Sequence, residues 1–198
     1  MRVLITGATG CLGRNLCQHL QAHGYSVLGT GRNAAIGDSL QNEGIDFRAG
    51  DLLQAESING LVKDCETVIH CAALSSAWGK SEDFIQANVV ATENLIAACL
   101  KQNVRRFIHV STTSVYFNYR DRFGILETEP VAHPMVNAYA ATKYQAELRV
   151  QAANARGLET IIIRPRGIFG PYDRNLFPRI LKAAASCKRA SVIEGGKT

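Results

Sequence analysis

An apolar run, "RVLIT" at residues 2–6, ends directly in "TGATGCLGRNL", which spaces Gly7, Gly10 and Gly13 three residues apart. A chain that leaves a strand and enters a helix through three spaced glycines has few architectures open to it. Glycine lets the backbone come close to a ligand, and the helix start offers free N–H groups and the positive end of its dipole. After the first strand of a parallel sheet, such a turn is a cradle for a dinucleotide pyrophosphate, built here from Gly7, Thr9, Gly10, Cys11, Leu12 and Gly13. The spacing is G-x-x-G-x-x-G rather than G-x-G-x-x-G, so the reading rests on the turn's place between strand and helix.

The alternation continues along the chain. "SVLGT" (26–30), "DFRAG" (46–50), "TVIHCA" (67–72), "RFIHVS" (106–111) and "TIIIRP" (160–165) read as strands. Several are apolar at consecutive positions, as strands covered on both faces must be. Helices are expected over about 11–22, 33–42, 54–62, 82–102 and 137–156, with Gly24 and Gly157 placed for left-handed caps. This order predicts an α/β fold: a three-layer α/β/α sandwich around a doubly wound parallel sheet of Rossmann order 3-2-1-4-5-6. Residues 1–170 form the dinucleotide-binding domain in this reading, and 171–198 open an incomplete substrate-binding domain. The longest irregular stretch, 115–136, is of a length usually kept for function.

Composition narrows the functional classes. No apolar run approaches membrane-spanning length, and the N-terminus enters a strand without room for a signal peptide, so a cytoplasmic protein with no membrane partner is expected. The six cysteines (11, 17, 65, 71, 99, 187) form no CxxC pair and read as reduced thiols, with no metal site. The net charge of +5 is uneven: residues 147–198 carry +6 and the first 146 carry −1. With few aromatics and no nucleic-acid motif, this excess suits an anionic small molecule or plain solvation and not a nucleic acid.

Two further places carry chemistry. In "NAYAATKYQAE" (137–147), Tyr139 and Lys143 stand at i and i+4 on one helical face among small residues. Alone, the pair equally describes a half-buried tyrosine beside a snorkelling lysine. The second strand ends in "GTGRN", with Arg32 where NAD enzymes carry an acid for the ribose hydroxyls. A guanidinium suits a 2′-phosphate, which favours NADP over NAD, and Arg14 is expected to flank the same place. Asp51, in "AGDLL", either accepts a hydrogen bond from the adenine amino group or caps the next helix.

Taken in order, these segments resemble the short-chain dehydrogenase/reductases in their extended, epimerase/dehydratase-like branch. "TGATGCLG" is similar to its TGxxGxxG and "HCAA" (70–73) to its fourth-strand segment. "NVVATENLIAAC" (88–99) resembles its N-V-x-x-T-x-N helix, "HVSTTSVY" (109–116) its serine/threonine strand, "YAATK" its Tyr-x-x-x-Lys, and "IIIRPRGIFGP" (161–171) its R-P-x-x-x-x-G-P. The resemblance implies that Asp51, Leu52, Cys71, Ala72, Ala73, Asn88 and Pro165 join the glycine turn and Arg32 around the cofactor. It implies that Tyr139 exchanges a proton with substrate, its pKa of roughly 10 lowered by the Lys143 ammonium, and that Lys143 also donates to the nicotinamide ribose. Thr112, with Ser111 next in line, supplies the hydroxyl that holds the substrate oxygen, although the family more often has serine there. The implied activity is hydride transfer between NADP (or NAD) and a secondary alcohol or ketone, as in 3β-hydroxysteroid dehydrogenase-like members, on a small-molecule substrate and in a homodimer. Nucleotide-sugar epimerisation or dehydration, and a non-catalytic dinucleotide-binding module, are the alternatives. Extended members run well past this length, so a C-terminal truncation is expected. Trp78 reads either as core or as a wall of the substrate pocket.

Overall fold

In β1 (Arg2–Thr6), Val3, Leu4, Ile5 and Thr6 are all buried, so this strand is covered on both faces. The structure, a computed structural model, describes residues 1–76 and 78–186. β1 lies at the centre of a six-stranded sheet with β2 (Ser26–Gly31), β3 (Asp46–Ala49), β4 (Thr67–His70), β5 (Arg106–Val110) and β6 (Glu159–Ile163). Every pairing is parallel and the order is β3-β2-β1-β4-β5-β6, as the sequence predicts.

Period-2 alternation divides the core into two layers. Val3, Ile5 and Val27 face one side, where Cys17 of α1 (Cys11–Ala22) and Leu40 of α2 (Ala34–Asn42) cover them. Leu4, Leu28, Val68 and Phe107 face the other. There they meet Ile58 and Leu61 of α3 (Ala55–Val62), Leu95 and Cys99 of α5 (Ala91–Lys101), and Val150 of α6 (Ala138–Asn154). α4 (Ser81–Phe84) runs through a π-helical stretch, Ile85–Val90, into α5, so the single helix expected over 82–102 carries a register shift inside it.

Capping explains several helix limits. Asn33 Oδ1 accepts from Ile36 N and Asn137 Oδ1 from Ala140 N, which starts α2 and α6 one residue after the predicted positions. Gly24 and Gly157 have φ of +79° and +92°, the left-handed caps expected of them. Two helices were not expected: a 3₁₀ turn at Thr113–Tyr116, and α7 (Phe177–Ala185). The Asp173 carboxylate accepts from the backbone N–H groups of Asn175, Leu176 and Phe177, which both initiates α7 and holds that carboxyl below its usual range.

Trp78 is 88% exposed, which removes it from the core, and the Ser76 hydroxyl donates to its backbone carbonyl at 2.7 Å. The five described cysteines are free thiols, and Cys187 lies outside the described residues. Among the described residues no helix is long and apolar enough to cross a membrane, and no cluster of metal-ligating side chains occurs.

Candidate active site

Gly7 leaves β1 at φ +68°, a conformation that suits glycine, and a Cβ there would lie 2.8 Å from Ala72 N. A Cβ on Gly13 would lie 2.2 Å from Gly7 O, so the turn and the first helical coil touch backbone to backbone. Gly10 caps α1 with no side-chain hydrogen bond, leaving the first N–H groups of the helix for a ligand. These features fit a dinucleotide pyrophosphate. Thr9 leans over Gly31, where a Cβ would meet Thr9 Oγ1 at 2.8 Å; the sequence reading did not single out that glycine.

The adenosine end is partly rearranged from expectation. Arg14 is not free to flank a 2′-phosphate: it pairs with Glu43, donates to Ser39 Oγ at 2.8 Å and lies 4.0 Å over the Tyr172 ring. Arg32 is exposed at the end of β2, with no hydrogen-bond partner among the described residues. Asp51 Oδ1 accepts from Leu53 N at 3.0 Å and so pins its own loop, while Gln54 occupies the N-cap of α3. The helix-cap alternative therefore falls away. Leu52 sends its side chain into the core, leaving only its backbone to face a cofactor; its carbonyl already accepts from Asn94 Nδ2.

α6 buries Ala140, Thr142, Lys143, Ala146 and Glu147 against the sheet and leaves Tyr139 half-buried at its first turn. Lys143 is 1% exposed. Its Nζ donates to Val110 O at 2.7 Å and stands 3.2 Å from His109 Nε2. The ammonium is therefore anchored to β5, through contacts the sequence reading did not anticipate. Burial pushes the Lys143 amine down to about 8, against the opposing fields of Glu147 and Cys71. Thr112 Oγ1 accepts from Ser114 N at 3.1 Å and contacts Ser114 Oγ at 3.0 Å, capping the 3₁₀ turn. Ser111 Oγ is buried without a partner.

Beneath these groups runs a polar chain that sequence reasoning missed. Thr92 Oγ1 donates to Asn88 O at 2.6 Å, so it must accept from His70 Nε2 at 3.0 Å. His70 Nδ1 is then the acceptor for Thr6 Oγ1 at 2.7 Å, and Thr6 Oγ1 in turn accepts from Ala72 N. The ring is thus neutral and fixed in its Nε2–H tautomer, and burial, with Lys143 nearby, pushes its pKa down to about 3. His70 and His109 are register partners on β4 and β5, with ring centroids 5.3 Å apart. Two histidines inside otherwise apolar strands were the available signal.

Asn88, in the π-helical stretch, accepts from Leu74 N at 2.8 Å and donates to Thr142 Oγ1 at 3.1 Å, which clips the segment after β4 to α6. Ala72 lies against Gly7, and Cys71 borders Lys143, whereas Ala73 is exposed. Pro165 O accepts from Thr113 N, joining the exit of β6 to the 3₁₀ turn. Beside Ser114 opens a cavity of ≈ 710 Å³, lined by Thr113, Phe117, Phe123, Ile125 and Arg166 among others.

The model of the NAD dependent epimerase/dehydratase family matches residues 3–198. The 4-hydroxy-2-methyl-3-oxo-4-farnesyl-3,4-dihydroquinoline-1-oxide ketoreductase of Stigmatella aurantiaca is 35% identical, over 100% of this chain and 59% of its own length. The human sterol-4-alpha-carboxylate 3-dehydrogenase, decarboxylating, is 33% identical, over 99% of this chain and 52% of its own. Among solved structures, UDP-glucuronic acid 4-epimerase from Bacillus cereus in complex with NAD superposes with a TM-score of 0.79 at 27% identity, covering 94% of this chain and 64% of that one. The chain thus spans between half and two thirds of the length of these relatives.

Proposed function

Because this chain belongs to the NAD-dependent epimerase/dehydratase family, we propose that it is the dinucleotide-binding part of an oxidoreductase interconverting a secondary alcohol and a ketone on an apolar small molecule. The observation that carries this reading is Lys143, held on β5 one helical turn from Tyr139 and bordering the Cys71–Ala72 segment that touches the glycine turn. Bound there, a nicotinamide dinucleotide supplies or accepts the hydride. Tyr139 gives or takes the proton of the substrate oxygen, Thr112 steadies that oxygen by turning its hydroxyl away from Ser114, and Lys143 holds the ribose side. The apolar part of the substrate lies toward Phe117, Phe123 and Ile125. Residues 171–198 begin the substrate-binding part, and the working unit is a cytoplasmic homodimer joined through α5 and α6 of each copy.

Tyr139→Phe tests the assignment. Turnover of a ketone with NADPH should fall at least about 100-fold while dinucleotide affinity stays near that of the parent; unchanged turnover overturns it. Exposed Arg32 supports NADP as the preferred cofactor, so Arg32→Asp should move the NADP/NAD affinity ratio about tenfold toward NAD. An unmoved ratio sinks that preference. Likeness to the 4-epimerase favours a second reading, reversible oxidation of a nucleotide sugar on bound NAD. Net consumption of reduced cofactor separates the two, and the reductase and dehydrogenase relatives at 33–35% identity support net redox chemistry.

A further inference from the structure

Lys143 presents an accounting problem that the proposed role leaves open. An ammonium has three donors, and one buried beside a sheet must place each of them. Val110 O takes one at 2.7 Å and His109 Nε2 stands at 3.2 Å from the nitrogen. His109 is fully buried and its Nδ1 has no partner. No described group fixes which of its nitrogens bears the proton, in contrast to His70, whose tautomer is locked by Thr6 and Thr92.

That freedom has a use. Facing an ammonium, Nε2 must be bare and Nδ1 carries the proton. Facing a neutral amine, whose nitrogen has a lone pair and only two hydrogens, the imidazole can donate from Nε2 instead. In both cases one Lys143 N–H goes to Val110 O, the contact with His109 persists, and one N–H remains unspent. We propose that His109 is a positioning residue for Lys143, an imidazole whose tautomer follows the charge of the amine so that one lysine N–H always stays directed to the dinucleotide. The usefulness of that last N–H rests on the function proposed above; the tautomeric coupling does not.

Other charges around the amine are few. Glu147 lies one turn along α6 and is itself neutralised by Arg164, while Cys71 and His70 face it from the β4 side. His70 has both nitrogens engaged, and burial holds the Cys71 thiol up at about 12. Lys143 is thus the group near His109 that can change charge between mildly acidic and mildly alkaline pH.

Nitrogen-15 NMR of the histidine-labelled 198-residue chain, without cofactor, tests the coupling. The His109 signals should move from the Nδ1–H pattern to the Nε2–H pattern in one step on the alkaline side of neutrality, while those of His70 stay in the Nε2–H pattern. In Lys143→Met the step should vanish. A single His109 tautomer across the range in the parent, or a step that survives in Lys143→Met, overturns the proposal. The positioning role has its own readout in NADP and NAD titrations. His109→Leu should bind the preferred dinucleotide about tenfold more weakly, and His109→Gln, whose amide can accept or donate at the same reach, should recover most of that loss. Equal affinity in His109→Leu and the parent ends the positioning role even if the tautomer step is seen. A tautomer step in a chain that binds neither dinucleotide upholds the coupling and removes the function built on it.

Discussion

A lysine enclosed as Lys143 is stays charged only at a cost in free energy, because the surrounding protein solvates an ammonium less well than water does. Its folded pKa of about 8 lies below the 10.5 of a free lysine, so between those values the unfolded chain binds more protons than the folded one. Stability therefore rises with pH across that window, by on the order of 3 kcal/mol, and the full penalty is present below it. Urea midpoints at pH 7.5 and pH 10 check this, and Lys143→Met should flatten the difference. The sequence placed Tyr139 and Lys143 on one helical face, since i,i+4 spacing fixes that much. It did not reveal that the amine reaches across to Val110 and His109, because such a contact depends on where β5 lies behind the helix. Arg14 was misjudged for a related reason: its charge is spoken for by Glu43, 29 positions away in the chain.

At the scale of elements, α6 and the exit of β6 are joined by one buried ion pair. Glu147 is completely enclosed and takes both Arg164 Nε at 2.9 Å and Nη2 at 2.6 Å, while Arg164 also reaches Tyr116 Oη. Removing one member leaves the other charged and enclosed, so Arg164→Leu should lower stability by about 3–5 kcal/mol. The double variant Glu147→Leu/Arg164→Leu should recover most of that loss; denaturant unfolding of the three proteins measures the coupling. Helix limits were legible to within a residue or so where a short polar side chain starts the helix, as at Asn33 and Asn137. α7 was not legible. Its start depends on a carboxylate, Asp173, folding back on three N–H groups, and its apolar residues Phe177, Ile180 and Leu181 are all exposed, so no stripe set against the core announced it. The π-helical stretch was equally hidden, because a periodicity of 3.6 says nothing about one added residue.

Across the whole molecule, strand order and layering were readable because consecutive apolar positions between helices leave a doubly wound parallel sheet as the economical arrangement. What lies inside the sheet was not. His70 sits uncharged at its middle with a pKa near 3 against 6.5 when free, so the unfolded chain binds the extra proton between those values. Stability should fall as pH drops through that interval, by on the order of 4 kcal/mol from this ring alone. Circular dichroism across pH 3 to 7 follows the loss, and His70→Gln, which keeps partners for Thr6 and Thr92, should make it shallower. The central strand has one more consequence. Thr6 ends β1 and Gly7 begins the cradle, with the Thr6 hydroxyl already holding Ala72 against that glycine. Heat tolerance and ligand grip are usually tuned at separate addresses; here they occupy adjoining ones, and a selection that hardens the middle of the sheet will retune the grip along with it.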